Sequence, residues 1–214
     1  MSPRRPSLPS YGIAAIFLVV AIFISGALWK LGDAREAQLS QASSQATGQT
    51  GVADVGGPFS LIDQDGVRRT EKDFLGRHML VFFGFTYCPD VCPTTLAILS
   101  AALDEIGPEA ENIVPVLITV DPVRDTPEAL KPYLSSFGPN FVGLTGTAEE
   151  IAAVANAYHA YYEIVENEDG DYTLNHSTAI YLMGPDGKFV TNYTLNMGPK
   201  AIAAGLRNLS LTGG

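Results

Sequence analysis

Cysteine is nearly absent: the 214-residue chain has two, Cys88 and Cys92, in one short segment. A secreted fold stapled by disulfides carries more cysteines and spreads them along the chain, so that class is excluded. A bond between these two would close a very small loop and add little stability, so their closeness points to chemistry. Basic residues are also sparse, 13 Lys and Arg against 23 Asp and Glu, for a formal net charge of -10. Residues 51–214 alone hold nine basic and 21 acidic residues. A field of that sign repels phosphate backbones and argues against a nucleic-acid partner. Histidine is limited to three positions, and no internal repeat is visible. Apolar material is not lacking: 46% hydrophobic residues against 17% charged exclude a disordered chain and can fill the core of one medium domain.

From Tyr11 to Trp29, 19 residues pass without a charge, which is long enough to cross a bilayer as a helix. Arg4 and Arg5 precede the run, and Lys30 and Arg35 come after it, so the positive-inside count is two on each side and sets no orientation. A cleaved signal peptide, with Ser25 and Ala27 before the cut, is the rival reading. The run is longer than an ordinary signal core and favours an uncleaved anchor, and either reading exports the remainder of the chain. The expected organisation is a cytoplasmic N-terminus over 1–10, a transmembrane anchor over 11–29, a flexible tether over 30–57 and one domain over 58–214. The tether is rich in Ala, Ser, Gln, Thr and Gly. No long Arg-rich, acidic-poor presequence precedes the anchor, which points to a single-pass protein of a bacterial inner membrane with its domain in the periplasm.

Within that domain, Phe59–Ile62 and Val67–Arg69 flank Asp65-Gly66 as a hairpin. Met79–Phe85 and Ile113–Val120 are nearly unbroken apolar runs, the mark of strands covered on both faces. Pro93 opens a helix to about Ile106, Thr126 can cap a second from Pro127, and Thr147-Ala148-Glu149-Glu150 is a capping box for a third. A short strand at Phe141–Leu144 leads to a pair at Tyr162–Val165 and Asp171–Leu174, then a hairpin at Thr178–Met183 and Lys188–Tyr193, and a last helix from Pro199. The order predicts an α/β domain with a thioredoxin-like fold, an extra N-terminal hairpin and an inserted hairpin. Parallel sheets gather ligands at the carboxyl ends of their strands. The segment Phe85–Pro93 and Asp121 both lie there.

Cys88 and Cys92 stand between a buried strand and a helix N-terminus, where the backbone N–H groups and the helix dipole are expected to lower a thiol pKa. Thiolate is both a nucleophile and a soft-metal ligand. Dithiol oxidoreductases of this fold place two residues between the cysteines, but this chain places three, Pro89-Asp90-Val91. The proline that such enzymes keep beside the dithiol is missing too, its place taken by Asn175-His176-Ser177. Two thiolates and an imidazole suit Cu(I) in a trigonal site and can hold Cu(II), whereas zinc ordinarily asks for a fourth ligand. His78 and His159 read as structural or solvated, Met79 and Met183 as core. Met197, in a loop, is an outside candidate. Asp121 supports the site or docks a partner, or else forms a plain Asp-Pro turn; Arg124 is placed to balance Asp121 or Asp125.

The run Phe85-Thr86-Tyr87-Cys88-Pro89-Asp90-Val91-Cys92-Pro93-Thr94-Thr95-Leu96 resembles the motif of the Sco/SenC family. Asp121-Pro122-Val123-Arg124-Asp125-Thr126-Pro127 and His176-Ser177-Thr178 match two further family motifs, and the similarity spans roughly residues 58–210. The resemblance implies a membrane-anchored copper-binding protein that assists assembly of the binuclear copper site of cytochrome c oxidase, with Cys88, Cys92 and His176 on the metal. Its implied partners are the copper-site subunit of the oxidase and a second periplasmic copper chaperone. The family usually has Asp before this His, and the present chain has Asn175, which removes no ligand. Two other functions stay open: a thiol–disulfide reductase with Cys88 and Cys92 as its redox-active dithiol, and a redox or copper sensor.

Overall fold

The structure is a computed structural model, and it describes residues 55–167 and 170–212. The expected N-terminus, the anchor over 11–29 and nearly all of the tether lie outside the described residues. Among the described residues, no helix is long and apolar enough to cross a membrane.

The described residues form nine strands and four helices in the order β1 Ser60–Asp63, β2 Arg68–Thr70, β3 His78–Gly84, α1 Val91–Ile106, β4 Ile113–Thr119, α2 Pro127–Ser135, β5 Val142–Thr145, α3 Ala148–Ala157, β6 Tyr162–Glu166, β7 Tyr172–His176, β8 Ile180–Met183, β9 Phe189–Tyr193 and α4 Gly198–Thr212. Seven strands form one sheet in the order β2-β1-β5-β4-β3-β8-β9. β3 pairs in parallel with β4 from His78↔Ile113 to Gly84↔Thr119, and β4 in parallel with β5. β8 runs antiparallel to β3, placing Phe82 opposite Ile180. β3 and β4 sit in the middle of the sheet and are buried almost throughout, which is why they read as continuous apolar runs rather than alternating ones.

The front hairpin joins the sheet through β1, which pairs with β5 at Ile62↔Thr145 and Asp63↔Leu144. The inserted hairpin does not join it: β6 and β7 form a separate two-stranded sheet, in register from Tyr162↔His176 to Glu166↔Tyr172. The capping box of α3 forms as expected, with the Glu150 N–H donating to Thr147 Oγ1 (3.2 Å) and the Thr147 N–H to Glu150 Oε2 (2.8 Å). Thr126 precedes α2 in an extended conformation but makes no side-chain cap bond. α1 starts at Val91, two residues before Pro93. Pro93 therefore lies inside the first turn, where its missing N–H leaves no helical bond unmade.

Candidate metal centre

β3 ends at Gly84, and the chain turns over the carboxyl edge of the sheet into α1. In that turn the Cys88 N–H donates to the Phe85 carbonyl (3.3 Å). Cys92, the second residue of α1, is fully buried, whereas Cys88 is half-buried; both are free thiols. The Cys92 N–H points at Cys88 Sγ (3.4 Å), so the helix N-terminus donates to the more accessible sulfur. Gly84 makes room for the other: a Cβ there would lie 2.8 Å from Cys92 Sγ and 2.8 Å from Phe82 Cε1.

His176 closes the site from the end of β7. Its Nε2 lies 3.3 Å from Cys92 Sγ, and its Nδ1 lies 2.9 Å from the Ser177 carbonyl. A carbonyl can only accept, so Nδ1 carries the proton and Nε2 turns its lone pair toward the sulfur. The rings of Phe82 and Phe85 stand edge-on to the imidazole, each 5.7 Å away between centroids, and wall it in. That burial holds the His176 pKa below its ordinary value, against the opposing pull of the Ser177 and Phe83 backbones. A neutral imidazole with a free Nε2 is the form that ligates metal.

Burial also pushes the Cys92 thiol up, outweighing a hydrogen bond with the Phe85 backbone; the neighbouring Cys88 and Asp125 push the same way. The expected lowering at the helix N-terminus is therefore overturned for this cysteine, because full desolvation of a thiolate costs more than backbone dipoles return. The Cys92 S–H is left to donate to Nε2. The two Sγ atoms and a ring nitrogen of His176 lie within 4.8 Å of one another. Two sulfurs and one imidazole nitrogen, converging at the sheet edge with one sulfur reachable from solvent, form a soft donor set that fits a copper ion.

Around these three groups lies a second layer. Asp121, just past β4, is buried; its carboxylate takes the Arg124 Nε–H and the Tyr172 hydroxyl (2.9 Å). Arg124 Nη1 donates to the Tyr172 carbonyl (3.0 Å) and lies 3.5 Å from Asp171. Its guanidinium carbon sits 3.8 Å from the centroid of the Tyr172 ring and 4.8 Å from that of Tyr87. Asp125, fully buried, accepts from the Thr86 N–H (3.0 Å), the Thr86 hydroxyl (2.5 Å) and the Thr119 hydroxyl (2.6 Å). It thereby staples the cysteine loop to the end of β4. Burial raises its pKa, and those hydroxyl and amide donors oppose the rise.

The family model described as SCO1/SenC matches residues 47–210. The chain belongs to the SCO1/SenC family. It is 48% identical over 147 residues to Protein SCO1 homolog 1, mitochondrial, of Arabidopsis thaliana, covering 68% of this chain and 44% of that relative's length. The copper-bound structure of Bradyrhizobium japonicum ScoI is 47% identical with a TM-score of 0.68, the match covering 72% of this chain and 98% of that one. BsSco, described as a member of the Sco family of cytochrome c oxidase assembly proteins with a disulfide switch, is 25% identical with a TM-score of 0.60, covering 76% and 98% of the two chains.

In this SCO1/SenC protein the sequence-predicted residues Cys88, Cys92 and His176 come together, while Asp121 is bonded to Arg124 and Tyr172. His78 opens β3 at its other end, and His159 comes after α3 with φ +53°. Met79 and Met183 are buried opposite each other across β3 and β8, and Met197 ends a 3-10 turn, partly exposed. Sequence reasoning missed Gly84 and Tyr172, quoted Tyr87 only within the motif, and named Asp125 only as a counter-ion for Arg124, which pairs with Asp121. The signals were a glycine interrupting an apolar run and a second Asp in the Asp-Pro motif, both readable as plain turn chemistry.

Proposed function

We propose that this SCO1/SenC protein carries copper for the assembly of cytochrome c oxidase, holding the ion on Cys88, Cys92 and His176. The observation that carries the reading is the convergence of both sulfurs with a ring nitrogen of His176 within 4.8 Å. The copper-bound Bradyrhizobium relative, 47% identical, supports it. Copper here is cargo. Loading displaces the proton of Cys92, so apparent affinity rises with pH while the imidazole, already neutral, gives up nothing. Cys88, the accessible sulfur, is the one an acceptor thiolate reaches first, and transfer proceeds by exchange of that ligand as Cys92 regains its proton. The apolar run at 11–29 serves as a single-pass anchor in a bacterial inner membrane and keeps the domain in the periplasm. There it meets the copper-site subunit of the oxidase and a copper-donating chaperone.

The test is copper binding by the reduced full-length protein in detergent, beside Cys88→Ser, Cys92→Ser and His176→Ala. The expected result is one ion per chain, lost with either serine variant. His176→Ala should weaken binding by at least the roughly 10- to 100-fold that loss of a ligand's outer support costs. Binding indifferent to His176 would overturn the assignment.

A second reading rests on the asymmetry of the two thiols. Cys88, half-buried and facing the Cys92 N–H, is placed to attack a substrate disulfide, with Cys92 displacing the resulting mixed disulfide. That path leaves a reduced substrate dithiol and a Cys88–Cys92 disulfide. Rapid turnover of a disulfide substrate by the copper-free protein, unaffected by His176→Ala, would favour it.

A further inference from the structure

His176 is carried by a hairpin that shares no ladder with the main sheet, so beyond the short link to β8 its place is set by side-chain contacts. At its base the hairpin closes on itself, the Ser177 N–H donating to the Tyr161 carbonyl and the Tyr161 N–H to Ser177 Oγ, each 2.8 Å. Leu174 seats β7 in the core, but an apolar contact is non-directional and tolerates sliding. Directional contacts come at Tyr172. Its carbonyl accepts from Arg124 Nη1, its hydroxyl donates to Asp121, and its ring lies under the guanidinium. Tyr172 and His176 are four residues apart on one strand, so their side chains share a face. A shift of the first carries the second.

The same guanidinium reaches Tyr87, the residue before Cys88, and is rooted on Asp121 at the end of β4. One cation thus joins the cysteine loop, the β4–α2 loop and the histidine-bearing hairpin. We infer that Arg124 is a positioning residue for His176, clamping β7 through Tyr172 so that Nε2 is held against Cys92 Sγ. A planar fork with several donors is needed to bond Nε and Nη1 to different partners while stacking on a ring, which a lysine ammonium cannot do. Arg124 Nη2 is buried and has no hydrogen-bond partner among the described residues, a desolvation cost that the contacts of Nε and Nη1 must outweigh.

The affinity arm of the test rests on the copper reading, and a metal-free arm does not. Arg124→Gln should lower copper affinity about tenfold in the protein with His176 and add no further loss to His176→Ala, because residues acting through one contact are not additive. Where parent affinity depends on His176, an equal loss in both backgrounds, or no loss in either, overturns the inference. In the metal-free reduced protein, the His176 Nδ1–H proton bonded to Ser177 should give a slowly exchanging NMR signal. It should persist in the parent protein and broaden or vanish in Arg124→Gln while the core amides stay protected; an unchanged signal overturns the clamp even if copper binds elsewhere. Copper affinity that ignores His176 in the parent protein refutes the copper reading alone. Should Arg124→Gln not fold, Arg124→Lys and Tyr172→Phe carry the same measurements, each expected to move them in the same direction by less.

Discussion

A methyl group on Gly84 would meet Cys92 Sγ and Phe82 Cε1 at 2.8 Å each, and Leu117 Cδ1 at 3.3 Å. All three neighbours belong to fully buried side chains. Gly84→Ala should therefore push Cys92 off its seat, lowering unfolding stability by about 1–3 kcal/mol in a urea titration and weakening copper retention with it. A wild-type midpoint would mean the sulfur has somewhere else to go. The sequence announced the cysteines, because their spacing and flanking prolines are local marks. It did not announce Gly84, whose need arises from a sulfur eight positions on that returns through a helix, nor Asp125, whose three donors come from Thr86 and Thr119. The thiol of Cys92 was misjudged for a related reason: a helix N-terminus is visible in the sequence, whereas the depth at which it is buried is not.

Elements divide along the same line. The α3 capping box joins residues three apart, and it formed as its four-residue pattern predicts. Thr147→Ala should cost about 1 kcal/mol of stability while leaving copper affinity unchanged, a comparison that separates general destabilisation from damage to the site. A drop in copper affinity in that variant would tie the metal centre to global stability after all. The β6–β7 hairpin was legible as a pair of strands, Tyr162–Val165 and Asp171–Leu174. Its separation from the main sheet was not, because pairing partners are chosen in three dimensions. The Arg124–Tyr172 bond that docks it spans 48 positions. Neither end of such a contact carries a local pattern.

For the molecule as a whole, burial of His176 and His78 contributes to the acid side of stability. Both hold pKa values below the ordinary imidazole value, so between that value and the folded one the unfolded chain binds more protons. Stability of the reduced, copper-free protein should fall as pH drops below about 6.5, and His176→Ala should flatten part of that slope. On the alkaline side Cys92 acts in the opposite sense: its raised pKa means stability is lost as pH climbs past the ordinary thiol range of about 8.5. Asp125, also raised, opposes the histidines only within the carboxylate range. Urea midpoints across pH check the whole curve, and a flat profile between neutral and mildly acid pH would contradict the burial of both imidazoles. The spacing of the ligands has a consequence for biosynthesis. His176 lies 84 positions after Cys92, and β3 waits for β8, which emerges from the ribosome later still. Chains are made from the N-terminus, so both thiols are exposed to the cell before their imidazole exists. On the proposed copper reading, any ion caught by the growing chain is held by sulfur alone until β7 has been made and delivers His176.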